Sequence, residues 1–207
     1  MKVLMINGSS HENGCTMTAL REVASVLEQE GVGAEIVQLG KGPVRDCIAC
    51  GSCRGRRRCA FNDDPVNETL EKAREADGFV FSSPVYYAHP SGRILSFLDR
   101  LFYADSSAFW HKPGAAVVSA RRGGTTASFD VLNKYFGISQ MPTVGATYWN
   151  MVHGNTPDEV LRDEEGLQTM RNLGRNMAWL LKCIELGKKN GVPAPAMERG
   201  HSTNFIR

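Results

Sequence analysis

Short continuous apolar runs alternate with stretches whose apolar positions recur at intervals of three and four, from the first residues to about position 189. Lys2–Asn7 is an apolar run that ends in a turn at Gly8–Ser10. Leu20, Val23, Ala24 and Leu27 then lie at i, i+3, i+4 and i+7, the spacing of one helix face, and Gly31 and Gly33 end that helix. A second strand is predicted at Ala34–Leu39, followed by a polar loop from Gly40 to Asn62. Asp63-Asp64-Pro65 reads as a helix start, with Val66, Leu70 and Ala73 as its buried stripe. Gly78–Ser83 is a continuous apolar strand of the kind found in the middle of a parallel sheet. Ile94, Phe97, Leu98 and Leu101 mark a further helix, Ala115–Ser119 a fourth strand, and Thr125–Phe136 another helix. A fifth strand is predicted at Thr143–Tyr148. From Asp158 to about Lys189 one helical face repeats through Met170, Leu173, Met177, Leu180 and Ile184.

This order implies parallel strands joined by right-handed crossovers, hence a doubly wound sheet whose ligand site lies beyond the carboxyl ends of its strands. The loops after strands one, three and four are the places to look. Residues 1–190 are predicted to form one domain, with a cysteine-rich loop at 40–62, and residues 191–207 an extended C-terminal tail. A net charge of +2 demands neither nucleic acid nor an anionic membrane as partner. The apolar runs are too short to span a bilayer, and the N-terminus shows no signal-peptide pattern. Four of the six cysteines fall between positions 47 and 59, which in the absence of a secretory signal points to metal or redox chemistry and to the cytoplasm.

After strand one comes Gly8-Ser9-Ser10-His11-Glu12-Asn13-Gly14-Cys15-Thr16. It leads into a helix N-terminus, where free N–H groups and the positive end of the dipole suit an anion. Ser9, Ser10, Asn13 and Thr16 add donors. A Walker A loop would need Lys after Gly14, where Cys15 stands. A dinucleotide fingerprint would need glycine where Ser10 stands and an acid at the end of strand two, which instead closes on Gln38-Leu39. A monophosphate held by hydroxyls and backbone fits best; a plain βα turn is the alternative. The stretch resembles the phosphate loop of the NADPH-dependent FMN reductase family, G-S-x-R-x-x-[GS]-x-T, with His11 in place of the usual Arg and Cys15 in place of a small polar residue.

The second match is Ser82-Ser83-Pro84-Val85-Tyr86-Tyr87, followed by a helix that ends Phe97-Leu98-Asp99-Arg100, against the family's P-x-Y and F-x-D-R. The resemblance implies a flavodoxin-like fold, with a five-stranded parallel sheet in the order 2-1-3-4-5 and helices on both faces. It also implies FMN as cofactor, with Ser9, Ser10, Asn13, Cys15 and Thr16 around the phosphate and Pro84, Val85, Tyr86 and Tyr87 against the ring. Ser119, Arg121, Gly123 and Gly124, in the loop after strand four, suit the polar edge of the ring, and an arginine there would stabilise an anionic reduced flavin. Asp99 and Arg100 are expected to form an internal or interface ion pair. Tyr148–Gly154 is expected either to line the substrate pocket or to pack Trp149 into the core.

Cys47-x2-Cys50-x2-Cys53-x5-Cys59 is compact enough for four sulfurs to surround one centre. It resembles the iron–sulfur flavoproteins, a branch of the same superfamily in which such a motif follows strand two and holds a [4Fe–4S] cluster. Free thiols, a disulfide or zinc are the rival readings, though zinc sites space their pairs more widely. Arg54, Arg56, Arg57 and Arg58 could offset an anionic cluster, dock an acidic partner, or simply be solvated. Cys15 and Cys183 suit buried small hydrophobes. The resemblance implies a homodimer or homotetramer. Two functions follow: an NAD(P)H oxidoreductase passing electrons through FMN to a small acceptor or redox protein, with no catalytic side chain, or an electron carrier fed by ferredoxin. A redox sensor built on the cysteine loop is a third.

Overall fold

A computed structural model describes residues 1–203 and 205. Strand β1 (Lys2–Asn7) pairs in parallel with β2 (Gly33–Gln38) on one side and β3 (Gly78–Tyr86) on the other. β5 (Gly114–Ala120) and β6 (Met151–His153) continue the sheet, giving the order β2-β1-β3-β5-β6. This is the expected doubly wound arrangement; the numbering shifts because a two-residue strand, β4 (His89–Pro90), folds back antiparallel on β3.

Val3 and Met5 of β1 face one core, with α1 (Cys15–Gln29) and α6 (Glu164–Lys189) packed over it. Leu4 and Ile6 face the other, covered by α2 (Val66–Glu75), α3 (Gly92–Asp105) and α4 (Thr125–Ile138). The predicted stripes of α1, α2 and α3 are buried as expected, apart from Ala24, which is half-buried. In the long helix Met170, Leu173 and Met177 reach the core, whereas Leu180 and Ile184 lie nearer the surface.

Two expectations change. The fifth strand is not at Thr143–Tyr148: only Thr143 bridges Gly114, and the ladder resumes at Met151–His153 against Val118–Ala120. The intervening carbonyls are taken by side chains, Val144 O by Asn150 Nδ2 at 3.4 Å and Gly145 O by Asn176 Nδ2 at 2.9 Å. The single helix from Asp158 is two, α5 (Pro157–Val160) and α6, separated where Asp163 caps α6 by accepting from Gly166 N at 2.9 Å. The β3–β4 turn has Tyr87 and Ala88 at φ 49 and 61, a two-residue hairpin turn built without Gly or Asn. No helix or strand is found from 191 to 203; the remainder of the expected tail, at 204, 206 and 207, lies outside the described residues. No helix among the described residues is long and apolar enough to cross a membrane.

A Cβ on Gly114 would stand 2.5 Å from Phe136 Cδ1, whose ring stacks on Phe81 with centroids 5.2 Å apart. Gly114→Ala is therefore expected to overpack this core by roughly 1–3 kcal/mol. Urea unfolding checks it: the midpoint should fall while ligand binding at the far end of the strand is kept.

Candidate functional site

The carboxyl ends of β1, β3 and β5 open into a cleft of about 960 Å³. The loop 9–16 forms one wall, Pro84, Val85 and Tyr86 a second, and Ser119, Ala120 and Arg121 a third. Sheet topology puts the cleft there: β1 connects outward to β2 through a helix on one face, and β2 returns across β1 to β3 through a helix on the other, so the loops diverge.

Helix α1 starts at Cys15 with Gly14 as its cap residue and no side chain bonded to its first turn. Its first internal bond is Thr18 N to Gly14 O at 3.1 Å, so the N–H groups of Cys15, Thr16 and Met17 lack intrahelical partners. These orphan donors face the loop and suit an anion. Two neighbouring hydroxyl groups also keep a free proton. Ser9 Oγ accepts from His11 N at 3.0 Å, which leaves its hydroxyl proton unspent. Thr16 Oγ1 and Ser119 Oγ lie 2.8 Å apart, and since only one of them can donate to the other, one proton remains. Asn13 Oδ1 accepts from Arg21 at 2.7 Å, which points its NH2 elsewhere. Burial pushes the Cys15 thiol up, and its Sγ lies 3.6 Å from Gly154 O.

Of the predicted ring-loop residues, Pro84, Val85, Tyr86, Ser119 and Arg121 line the cleft together with Ser10. Tyr87, Gly123 and Gly124 do not: Tyr87 is fully exposed on the hairpin turn, and Gly124, at φ 96, leaves room for Ala88, whose Cα would stand 2.6 Å from a Cβ. Of the 148–154 segment only Gly154 reaches the cleft. Trp149 is neither in the cleft nor in the core; it is half-exposed, its ring 5.7 Å from that of Phe129. Sequence reasoning missed Gln38, Gly40, Lys41 and the turn Asn155-Thr156-Pro157. Gln38 Nε2 donates to Ser9 O at 2.7 Å while its Oε1 accepts from Asn7, fixing the backbone at the start of the 9–16 loop. Thr156 and Glu159 have capping-box spacing, a signal that was available: Thr156 Oγ1 accepts from Glu159 N at 3.3 Å, and Glu159 accepts from Asn155 N at 2.6 Å.

A second cavity, of about 460 Å³, is lined by all four clustered cysteines, together with Phe61, Arg100 and Tyr103. All six cysteines are free thiols; Cys183 is exposed and Cys15 half-buried, so neither is the buried hydrophobe expected. Among the described residues no three His, Cys, Asp or Glu converge as a single-ion site. Arg100 pairs with Asp64 and not with Asp99, which accepts from the Tyr135 hydroxyl at 2.5 Å. The loop is pinned from outside through Arg57, whose Nε donates to Asp105 at 2.9 Å. Burial pushes the Asp105 carboxyl up, but bonds from Ser107, Arg57 and Arg74 outweigh it and hold the group below the ordinary carboxylate range.

The family profile described as NADPH-dependent FMN reductase matches residues 1–156. An iron–sulfur flavoprotein of Methanocaldococcus jannaschii is 33% identical over 193 residues, covering 89% of this chain and all of that one. One from Methanosarcina thermophila is 27% identical, covering 89% and 97%. Among solved structures, a flavone reductase superposes with a TM-score of 0.68 at 20% identity, covering 89% of this chain and 64% of its own, a likeness of fold. The chain belongs to the NADPH-dependent FMN reductase family, close to its iron–sulfur flavoprotein branch. It is an FMN-binding oxidoreductase.

Two outcomes follow. Ser9→Ala should weaken FMN binding by roughly tenfold to a hundredfold, the effect of one hydrogen bond to a charged group; fluorescence titration of the apoprotein reads this. Asp105→Asn should lower stability by about 2 kcal/mol at neutral pH. Because the folded carboxyl titrates below its unfolded value, that stabilisation is complete above the ordinary carboxylate pKa of about 3.9 and is lost as pH falls below it. Urea midpoints of variant and parent should therefore converge on acidification.

Proposed function

We propose that this chain carries FMN in the cleft and a [4Fe–4S] cluster on Cys47, Cys50, Cys53 and Cys59, and that it passes single electrons between the flavin and a redox partner. The observation that supports this most is that all four thiols line one cavity while no three of them, among the described residues, form a single-ion site, with the buried Arg100 guanidinium on the sulfur of Cys59. Thiols spread around a volume suit a multi-atom cluster, whereas a zinc ion needs four donors at a common centre. The relatives named iron–sulfur flavoproteins, one of them 33% identical over its full length, support the same reading.

Bound flavin would supply chemistry in one- or two-electron units, and a bound cluster would carry electrons one at a time. The protein's own part is positional. The first-turn N–H groups of α1 and the spare hydroxyl protons of Ser9 and of the Thr16–Ser119 pair hold the phosphate. Tyr86 offers a ring face, and Pro84 stiffens the turn that carries it. Arg121 brings positive charge to the rim, where it favours an anionic reduced ring. No side chain serves as nucleophile or general base. Free thiols of this kind suit the reducing cytoplasm, and assembly as a homodimer or homotetramer belongs to the same proposal.

The electron donor separates two versions. A ferredoxin donor suits the single-electron cluster. Reduced nicotinamide, NADH or NADPH, is the second reading, supported by Lys41 and Arg121 on the rim of the open cleft, which give cations for a second phosphate. In that version a small molecule or a redox protein accepts the electrons.

Protein prepared without oxygen should contain about one FMN and about four iron and four sulfide per chain. Cys53→Ser should lose the iron and keep the FMN. Colourless protein that takes up no FMN would overturn the whole reading; flavin without iron would overturn the cluster. Bleaching of the flavin by reduced ferredoxin, but not by NADPH or NADH, supports the carrier, and the reverse supports the reductase.

A further inference from the structure

Arg100 is only 2% exposed, yet its charge has one carboxylate partner, Asp64, itself buried. The remaining donors of the fork are distributed unevenly. Nη1 also donates to Arg45 O at 3.2 Å, and Nη2 has a long contact to Phe61 O at 3.5 Å. Nε and Nη2 each lie 3.3 Å from Cys59 Sγ. A neutral thiol is a weak acceptor, so a buried guanidinium that aims two N–H groups at one sulfur is poorly satisfied unless that sulfur bears negative charge. A sulfur bound to iron bears it, and charge-assisted bonds to such an acceptor are the strong kind. The backbone of the same residue is clamped separately: the buried Asn67 accepts from Cys59 N at 2.9 Å and donates to Cys59 O at 3.0 Å. Cys59 is thus held at main chain and sulfur alike, although five residues separate it from the last of the other three cysteines, on an exposed arginine-rich loop.

We propose that Arg100 is a positioning residue for the cluster, holding the Cys59 sulfur in ligand position through both arms of its fork and raising the cluster's reduction potential by its charge. This rests on the cluster reading above. Reduction adds one electron to the cluster and forms or breaks no bond, so the product is one unit more negative. A fixed cation beside a ligand sulfur stabilises that product, and Asp64, on the cation's other side, partly cancels the effect. The two residues therefore act with opposite sign, which a purely structural ion pair would not do. Lysine cannot reproduce the role in full, because one ammonium cannot place two coplanar donors on the sulfur.

The test is an anaerobic redox titration of the holoprotein followed by electron paramagnetic resonance, with iron, sulfide and FMN counted on the same samples. Arg100→Gln should lower the midpoint by at least a tenfold change in the one-electron equilibrium, 59 mV. Asp64→Asn should raise it. Arg100→Lys should stay nearer the parent in potential but show a changed resonance spectrum, since the sulfur loses one of its two bonds. If Arg100→Gln retains full iron and FMN with a midpoint within threefold of the parent, the proposal is overturned. Should that variant fail to fold, shown by loss of FMN, Arg100→Lys decides: a spectrum and midpoint identical to the parent's overturn the proposal. Parent protein that holds FMN but no iron or sulfide overturns the cluster reading itself, and so is distinct from the failure of Arg100 alone.

Discussion

Everything at the working edge of this molecule depends on β1 having no exposed face. Val3, Leu4, Met5 and Ile6 alternate between the two cores and are all buried, so helices must cover the sheet on both sides. Once α1 covers one side and α2 the other, the chain leaves β1 and β3 in diverging directions, and a crevice opens at their carboxyl ends. Burying this strand also brings the start of α1, with its unpaired N–H groups, to the floor of that crevice. The Thr16–Ser119 hydroxyl pair then fastens it to the end of β5, two strands away.

The two candidate sites are built on different principles. The cleft is assembled from backbone and short side chains on rigid elements, where an orphan N–H or a spare hydroxyl proton is the functional group. The cysteine cavity lies on an irregular loop that the sheet does not organise. Buried polar anchors hold it to the helices: Asn67 and Asp64 at α2, Arg100 and Asp105 on α3. Each anchor carries a desolvation cost that is offset only when every partner is present. The loop's conformation therefore follows from a network and not from local propensity. That dependence is visible in the left-handed backbone of Ala49 and Arg57, which glycine or asparagine would adopt with less strain.

The architecture and most of the cleft were legible in the chain. Continuous apolar strands and clear helical stripes gave the order of elements, because burial on both faces of a parallel sheet writes itself into hydrophobic runs. The turn after β1 was readable as part of the cleft because small residues at a strand–helix turn have few other uses. Thr143–Tyr148 misled, since its apolar pattern is that of a strand while Asn150 and Asn176, one of them distant in sequence, take its carbonyls. Tyr87 misled in the same way: the residue type suits a ring contact, and only the hairpin turn, with no glycine to announce it, carries the side chain into solvent.

By itself, then, the sequence determined the layered α/β core, the position of the glycine- and hydroxyl-rich turn at the cleft and the presence of four thiols close enough to line one cavity, because each is a matter of local spacing. It did not determine which carboxylate Arg100 would meet. The adjacent Asp99 suggested an internal pair, but on a helix successive residues point apart, and Asp64 reaches the guanidinium from another element. Nor did it place Gln38, Lys41 and the 155–157 turn at the cleft. Those contacts join segments dozens of residues apart, and only the packing of helices on a twisted sheet brings them within bonding distance.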